Sequence, residues 1–80
     1  MESDLITKDI VVKGHNVLTL RVGNKYNIQY GIHNGVHEYV GTTKEGKHLF
    51  KKLETNIVSF GFHSYNSPFE FTRIVTDLNR

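Results

Sequence analysis

Lys44, Lys47, His48, Lys51 and Lys52 fall within nine positions, and the one acid among them is Glu45. Cationic side chains at that density neutralise phosphates and release condensed counterions, which makes for salt-sensitive binding to a nucleic acid. If 44–53 runs as a loop into a strand, its period of two puts Lys47 and Lys51 on one face and His48 and Lys52 on the other. The result is a positive ridge around the loop tip. Tyr26, Tyr30, Tyr39, Phe50 and Tyr65 are the candidate stacking platforms for bases. Read more plainly, the lysines are a solvated edge that discourages sheet-to-sheet pairing, and the tyrosines are core with their hydroxyls at the rim. A net charge of only +2 favours the plainer account.

A second candidate surface is the segment Tyr65-Asn66-Ser67 with its neighbour His63, next to Phe62. Tyrosine is a favoured anchor in protein interfaces, so His63, Tyr65 and Asn66 are candidate contacts to another protein. Otherwise they form a plain connecting loop. Asp9–Val12 or Ile57–Phe62, if an edge strand, offers a partner's strand a ladder to join.

Five histidines invite a metal, but their spacing argues against one. His33 and His37, four apart, belong together on a helix, whereas the hairpin expected there puts them on opposite faces. His15, His48 and His63 lack ligand spacing, and there is no cysteine to supply a thiolate. Neither a metal nor another cofactor is expected. Glu38 beside His37 is a poor acid–base pair, because neighbours on a strand point apart. No nucleophile elbow, phosphate loop or dinucleotide fingerprint occurs. Eighty residues also leave little interior for a substrate. The chain reads as a non-enzyme with no catalytic residue.

The elements that must position these groups centre on Asn34-Gly35. Before it, Tyr26, Ile28, Tyr30 and Ile32 alternate with Asn27, Gln29 and Gly31, the period of a half-buried strand. Asn-Gly suits a two-residue type I′ turn, and Val36 to Thr43 is the return strand. Counting outward places His33 opposite Val36, Ile32 opposite His37, Tyr30 opposite Tyr39 and Ile28 opposite Gly41. Ile28, Tyr30, Ile32 and Tyr39 then share one face, with His37 at its rim.

Elsewhere, residues 1–7 read as a loose start. Asp9 to Val12 is a short strand stopped by Gly14-His15-Asn16. Val17 to Val22 is a second, with Leu18, Leu20 and Val22 facing the core, and Gly23-Asn24 turns it. Gly46 suits the left-handed position of a short loop. For 47–55 a helix competes with two strands. Leu49, Leu53 and Ile57 recur at helical spacing, but Val58, Phe60 and Phe62 alternate beyond them. Two strands, Lys47–Leu53 and Ile57–Phe62, with a turn at Thr55-Asn56, are favoured; Leu49 and Leu53 would then face inward. Ser67-Pro68-Phe69-Glu70 has the form of a capping box with proline at the first helical position. Phe71, Ile74, Val75 and Leu78 make one apolar helical stripe, so a helix is expected over 68–78. Phe60 and Ile74 are expected to be buried.

Eighty residues make one small domain over 1–80, near the lower size for folding without disulfides. Nine aromatics, four Tyr and five Phe, must carry most of its core. The polar, acidic start shows no secretory signal, and no apolar run is long enough to span a bilayer. A cytoplasmic protein without a membrane partner is expected. The fold class is α+β and mainly β: a strongly bent antiparallel sheet of five to six strands, or a small barrel, with a C-terminal helix. Leu20 to Phe62 loosely resembles an SH3-like or Sm-like barrel, through a glycine-terminated strand (Val22-Gly23), a long hairpin, Tyr39-Val40-Gly41 and two more strands. That resemblance implies fold and no activity.

Function follows from surface. The leading expectation is a non-enzymatic binding protein, of adaptor or inhibitor type, that docks on another protein through loops and a sheet edge. The alternatives are a nucleic-acid-binding barrel using Lys44, Lys47, His48, Lys51 and Lys52, and a self-assembling structural protein whose edge strands form a ring.

Overall fold

Short β-prone runs separated by glycine and asparagine become seven strands in the computed structural model, which describes residues 5–78. β1 (Ile10–Lys13) and β2 (Val17–Leu20) form a hairpin with Val12 opposite Leu18. β3 (Lys25–Ile28), β4 (Gly35–Thr42), β5 (Lys47–Lys52) and β6 (Ile57–His63) form an antiparallel meander. Helix α1 (Pro68–Ile74) leads straight into β7 (Val75–Asp77), which pairs with the far side of β3. The large sheet therefore has the order β6-β5-β4-β3-β7. The expected two strands over 47–63 are present, and Asn56 turns between them with a positive φ of 58°.

The sheet is open rather than a closed barrel: β6 and β7 are its edges, and among the described residues they do not pair with each other. It bends at two bulges. Val40 on β4 and Ser59 on β6 are extra residues beside the β5 residue Phe50, where the register shifts. An unpaired extra residue bends its strand and increases the local twist.

The central hairpin differs from the one expected. Ile28 lies opposite Gly35 and Tyr26 opposite His37, a register displaced by six residues. Residues 29–34 form a longer connection that contains a 3-10 turn, Gly31–His33. Asn34 has φ −59°, so the dipeptide does not supply the two positive φ values of a type I′ turn. Because six is even, the faces survive: Tyr26, Ile28 and Tyr39 are fully buried, and His37 joins them rather than sitting at a rim. Tyr30 and Ile32 leave the strand and are exposed, Ile32 by 90%.

Inward-facing side chains build one aromatic core. Phe50 touches Tyr26, Tyr39, Phe60 and Phe71 at ring-centroid distances of 5.4–6.2 Å. Val12, Leu18 and Leu20 close it from the hairpin side. The Tyr26 hydroxyl donates to the Thr19 carbonyl (2.7 Å) and accepts from the Arg21 N–H (2.9 Å), which ties β2 to the sheet. Val22 is exposed because β2 ends at Leu20 and Val22 starts the turn. On β5 the inward residues are His48 and Phe50, whereas Leu49 is half-buried and Leu53 exposed. Phe60 is buried as expected, and Ile74 packs on the core only in part.

The helix ends at Ile74, four residues short of its expected end. Val75 adopts an extended conformation and β7 takes the open side of β3, so Val75 is buried in the sheet and Leu78 is exposed. The expected capping box does not form, since Ser67 makes no side-chain cap. Nor is the start loose as far as residue 7: Ile6 and Thr42 exchange backbone hydrogen bonds of 2.7 and 3.0 Å. The first four positions of that segment lie outside the described residues.

Hydrogen bonds to Thr72 and the close approach of Gly14 hold the β1–β2 turn on α1. The Thr72 hydroxyl accepts from the His15 N–H at 2.9 Å and donates to the Phe69 carbonyl at 3.2 Å. Gly14 packs directly on the helix: a Cβ there would stand 2.6 Å from the Pro68 carbonyl carbon and 2.9 Å from the Phe69 nitrogen. Both are backbone atoms, so relief requires moving an element. Gly14→Ala should cost about 1–3 kcal/mol or more, read as a lower urea midpoint. Parent-like unfolding would show that the turn is not seated on the helix.

Candidate functional site

The lysine ridge is divided by the same alternation that builds the core. Phe50 must face inward, so His48, two positions before it, does too. His48 is only 4% exposed and offers nothing to a phosphate. The Lys51 ammonium faces Glu38 on β4 at 3.9 Å, and that of Lys52 faces Glu54 at 3.9 Å. The Lys52 stem runs beside Gly35 on the inner side. Lys44 and Lys47 are exposed at the β4–β5 turn, where Gly46 takes φ +93° and the Thr43 side chain accepts the Lys47 N–H at 3.1 Å. The five candidates thus do not form one patch.

His48 belongs to a buried chain of hydroxyls. Its Nδ1 lies 2.7 Å from the Thr42 hydroxyl, which is hydrogen-bonded in turn to the Tyr39 hydroxyl. Its Nε2 lies 2.6 Å from the Ser64 hydroxyl. Tyr39 is fully buried and Ser64 half-buried. The direction that satisfies every buried donor runs outward: Tyr39 donates to Thr42, Thr42 to Nδ1, and Nε2–H to Ser64. Only the Ser64 proton is then left for a partner beyond the chain. In that arrangement histidine donates to serine, so it does not act as the base that activates a nucleophile. Burial, with His63 adding to it, lowers the His48 pKa to about 4, and burial raises that of Tyr39.

His33 and His37 do not fall on opposite faces, because the longer loop brings His33 back over the sheet. Both rings lie against Phe60, at 5.2 and 6.3 Å. His37 Nδ1 is 3.0 Å from the Gly35 carbonyl, and burial lowers its pKa. Among the described residues no three or more His, Asp or Glu side chains gather as metal ligands.

The residues that do converge lie along β6. Lys47 stands opposite His63 in the ladder. The Tyr65 ring meets the His63 ring edge-on at 5.4 Å and lies over Gly46, 3.5 Å from where a Cβ would be. The two surfaces read separately from the sequence, Lys47 and the His63–Tyr65 segment, thus form one corner. Asn66 is exposed beside them, its N–H donating to the His63 carbonyl at 3.3 Å. At the other end of β6, Ile57 is 61% and Val58 47% exposed. On the inner face Tyr30 packs on Phe60 and Phe62 at 5.7 and 6.1 Å.

Gly61 was the residue whose meaning the sequence concealed. A Cβ there would collide first with Lys47 Cε, and would stand 3.2 Å from Lys47 Cδ and from Leu49 Cδ2. The lysine stem therefore lies across the glycine toward the sheet edge. Glycine inside a strand is the available signal for such a close approach.

Comparison of the chain with protein-family models, curated proteins and solved structures finds no match. Among the described residues no helix is long and apolar enough to cross a membrane.

Proposed function

We propose that this chain is a small non-enzymatic binding protein, of adaptor or inhibitor type, that takes an extended segment of another protein onto the edge of β6. The observation that carries this is the composition of that edge. Its seven residues, Ile-Val-Ser-Phe-Gly-Phe-His, include no lysine, acid or proline, the residues that most often blunt an exposed edge. Unpaired backbone groups there supply affinity and the flanking side chains specificity. Tyr65, His63 and Asn66 extend the contact beyond the strand.

The SH3-like character of the β3–β6 meander and a cytoplasmic location are carried with this proposal. A nucleic-acid partner has less support, because His48 is internal and Lys51 and Lys52 each face an acid.

The test compares the parent with Ile57→Lys/Val58→Lys in affinity capture from the native host. Both side chains are exposed, so melting should be unchanged while recovery of a specific partner falls about tenfold or more. Equal recovery by a variant that melts like the parent puts the interface elsewhere. Loss of partner on mild salt and nuclease treatment would favour nucleic acid instead.

A further inference from the structure

We infer that the segment bound at β6 alternates apolar with acidic side chains, an inference that rests on the edge-docking proposal above. A strand added to this edge continues the two faces of the sheet, so its residues divide by parity between two different surroundings. On the inner side they meet Ile57, the half-buried Phe62 and the Tyr30 ring packed across it. Ile32, 90% exposed, lies in the same loop as Tyr30. That side is apolar along Phe62 and Tyr30; the Lys52 stem lies opposite Ile57 at its far end, its ammonium facing Glu54.

On the outer side they meet Lys47, brought across Gly61, His63 opposite it in the ladder, and Val58 at the other end of the strand. The acids of this face lie further in: Glu38 is on β4, two strands from the edge, where Lys51 faces it. A carboxylate from an added strand therefore finds a cation within reach, and Glu38 is the one acid within β4, β5 and β6. The absence of a side chain at residue 61 gives the lysine its path to the edge.

The same charge disfavours a second copy as the occupant. Two β6 edges related by a two-fold axis keep like face with like face, which puts both Lys47 ammoniums on one side of the joint. Like charges facing across a ladder are destabilising. With about 3.4 Å per residue and Ser59 left over at the bulge, a partner segment that matches the other six residues of β6 spans about 20 Å.

The test uses two end-blocked peptides, Thr-Ile-Glu-Val-Glu-Ile-Thr and its analogue with lysine in place of both glutamates. Each is titrated into the full chain at low salt and followed by amide NMR. The acidic peptide should shift the β6 amides and bind about tenfold or more tighter than the basic one, with the gap closing at high salt. Lys47→Glu, an exposed change that should leave the rest of the spectrum parent-like, should reverse the order. Equal affinities, or an order that survives Lys47→Glu, would overturn the charge pattern while leaving edge docking in place. If neither peptide perturbs β6 at about millimolar concentration, a very weak affinity even for a peptide, edge docking fails with it. Light scattering that finds a dimer, lost on Ile57→Lys/Val58→Lys, would overturn the choice of occupant.

Discussion

Replacing Phe50 with alanine should leave a chain that no longer melts cooperatively near the parent temperature. Phe50 is fully buried and is the one ring in contact with Tyr26 and Tyr39 of the inner strands, Phe60 of the edge strand and Phe71 of the helix. Removing it withdraws apolar surface from four neighbours at once and opens a cavity where β3, β4, β6 and α1 meet. Phe→Ala changes at such sites cost about 3–5 kcal/mol. Stability of roughly 0.05–0.15 kcal/mol per residue gives this chain about 4–12 kcal/mol in all. The loss is thus a large share of the total, and Tm should fall by about 15 °C or more. Ile32→Ala serves as the control. Ile32 carries the same kind of apolar side chain but is 90% exposed, so its melting curve should overlay the parent's. A parent-like Phe50→Ala would mean that the rings do not share one core.

Acid should loosen the fold well above the pH at which carboxylates ordinarily protonate. His48 is buried with both ring nitrogens committed, and its pKa is lowered from 6.5 to about 4, burial being the main cause and His63 the lesser. Between those two pH values the unfolded chain binds a proton at His48 and the folded chain does not. Stability therefore rises with pH through this window. The contribution is fully present above about pH 6.5 and is lost as pH falls toward 4, about 3 kcal/mol in total.

His37 acts in the same direction, since burial lowers its pKa, with Lys52 and His33 adding to the effect against the Gly35 carbonyl. Protonation of His48 also breaks the hydroxyl chain, because a charged ring cannot accept from Thr42. Urea unfolding at pH 7 and pH 4.5 should show the drop. The His48 ring resonances of the folded state should not titrate near pH 6.5. Equal stability at both pH values would sink the assignment of His48 as a buried neutral base.

The register of the central hairpin shows how far periodicity reaches. Alternation correctly placed Ile28 and Tyr39 on the buried face, and that survived a six-residue slip because the error was even. It did not locate the end of the strand. Asn34-Gly35 has the local chemistry of a tight turn, but pairing Ile28 with Gly35 buries Tyr26 and His37 and sends Tyr30 over Phe60 and Phe62. Burial of that many rings outweighs a turn preference. The last stripe was misread for a related reason. Phe71 and Val75 are both buried, as a helical stripe requires, but the open side of β3 offered Val75–Asp77 a ladder that the helix could not supply.

The candidate site was legible in pieces. Lys47, His63 and Tyr65 were each singled out, but their meeting depends on β5 and β6 being antiparallel neighbours, which sets Lys47 opposite His63. The ridge of five failed at His48 and Lys52 for the opposite reason: one parity of β5 is the core, and Phe50 chose which. Composition and short-range pattern determined that this chain is a mainly antiparallel β protein with a C-terminal helix, punctuated at Gly23, Gly46 and Asn56. Those features depend on neighbours in sequence, through the pleat and through residues that tolerate positive φ. Tertiary structure alone decided which edge stays open, which histidines lie inside and which lysine reaches the edge. Each of those depends on side chains far apart along the chain competing for the same buried space.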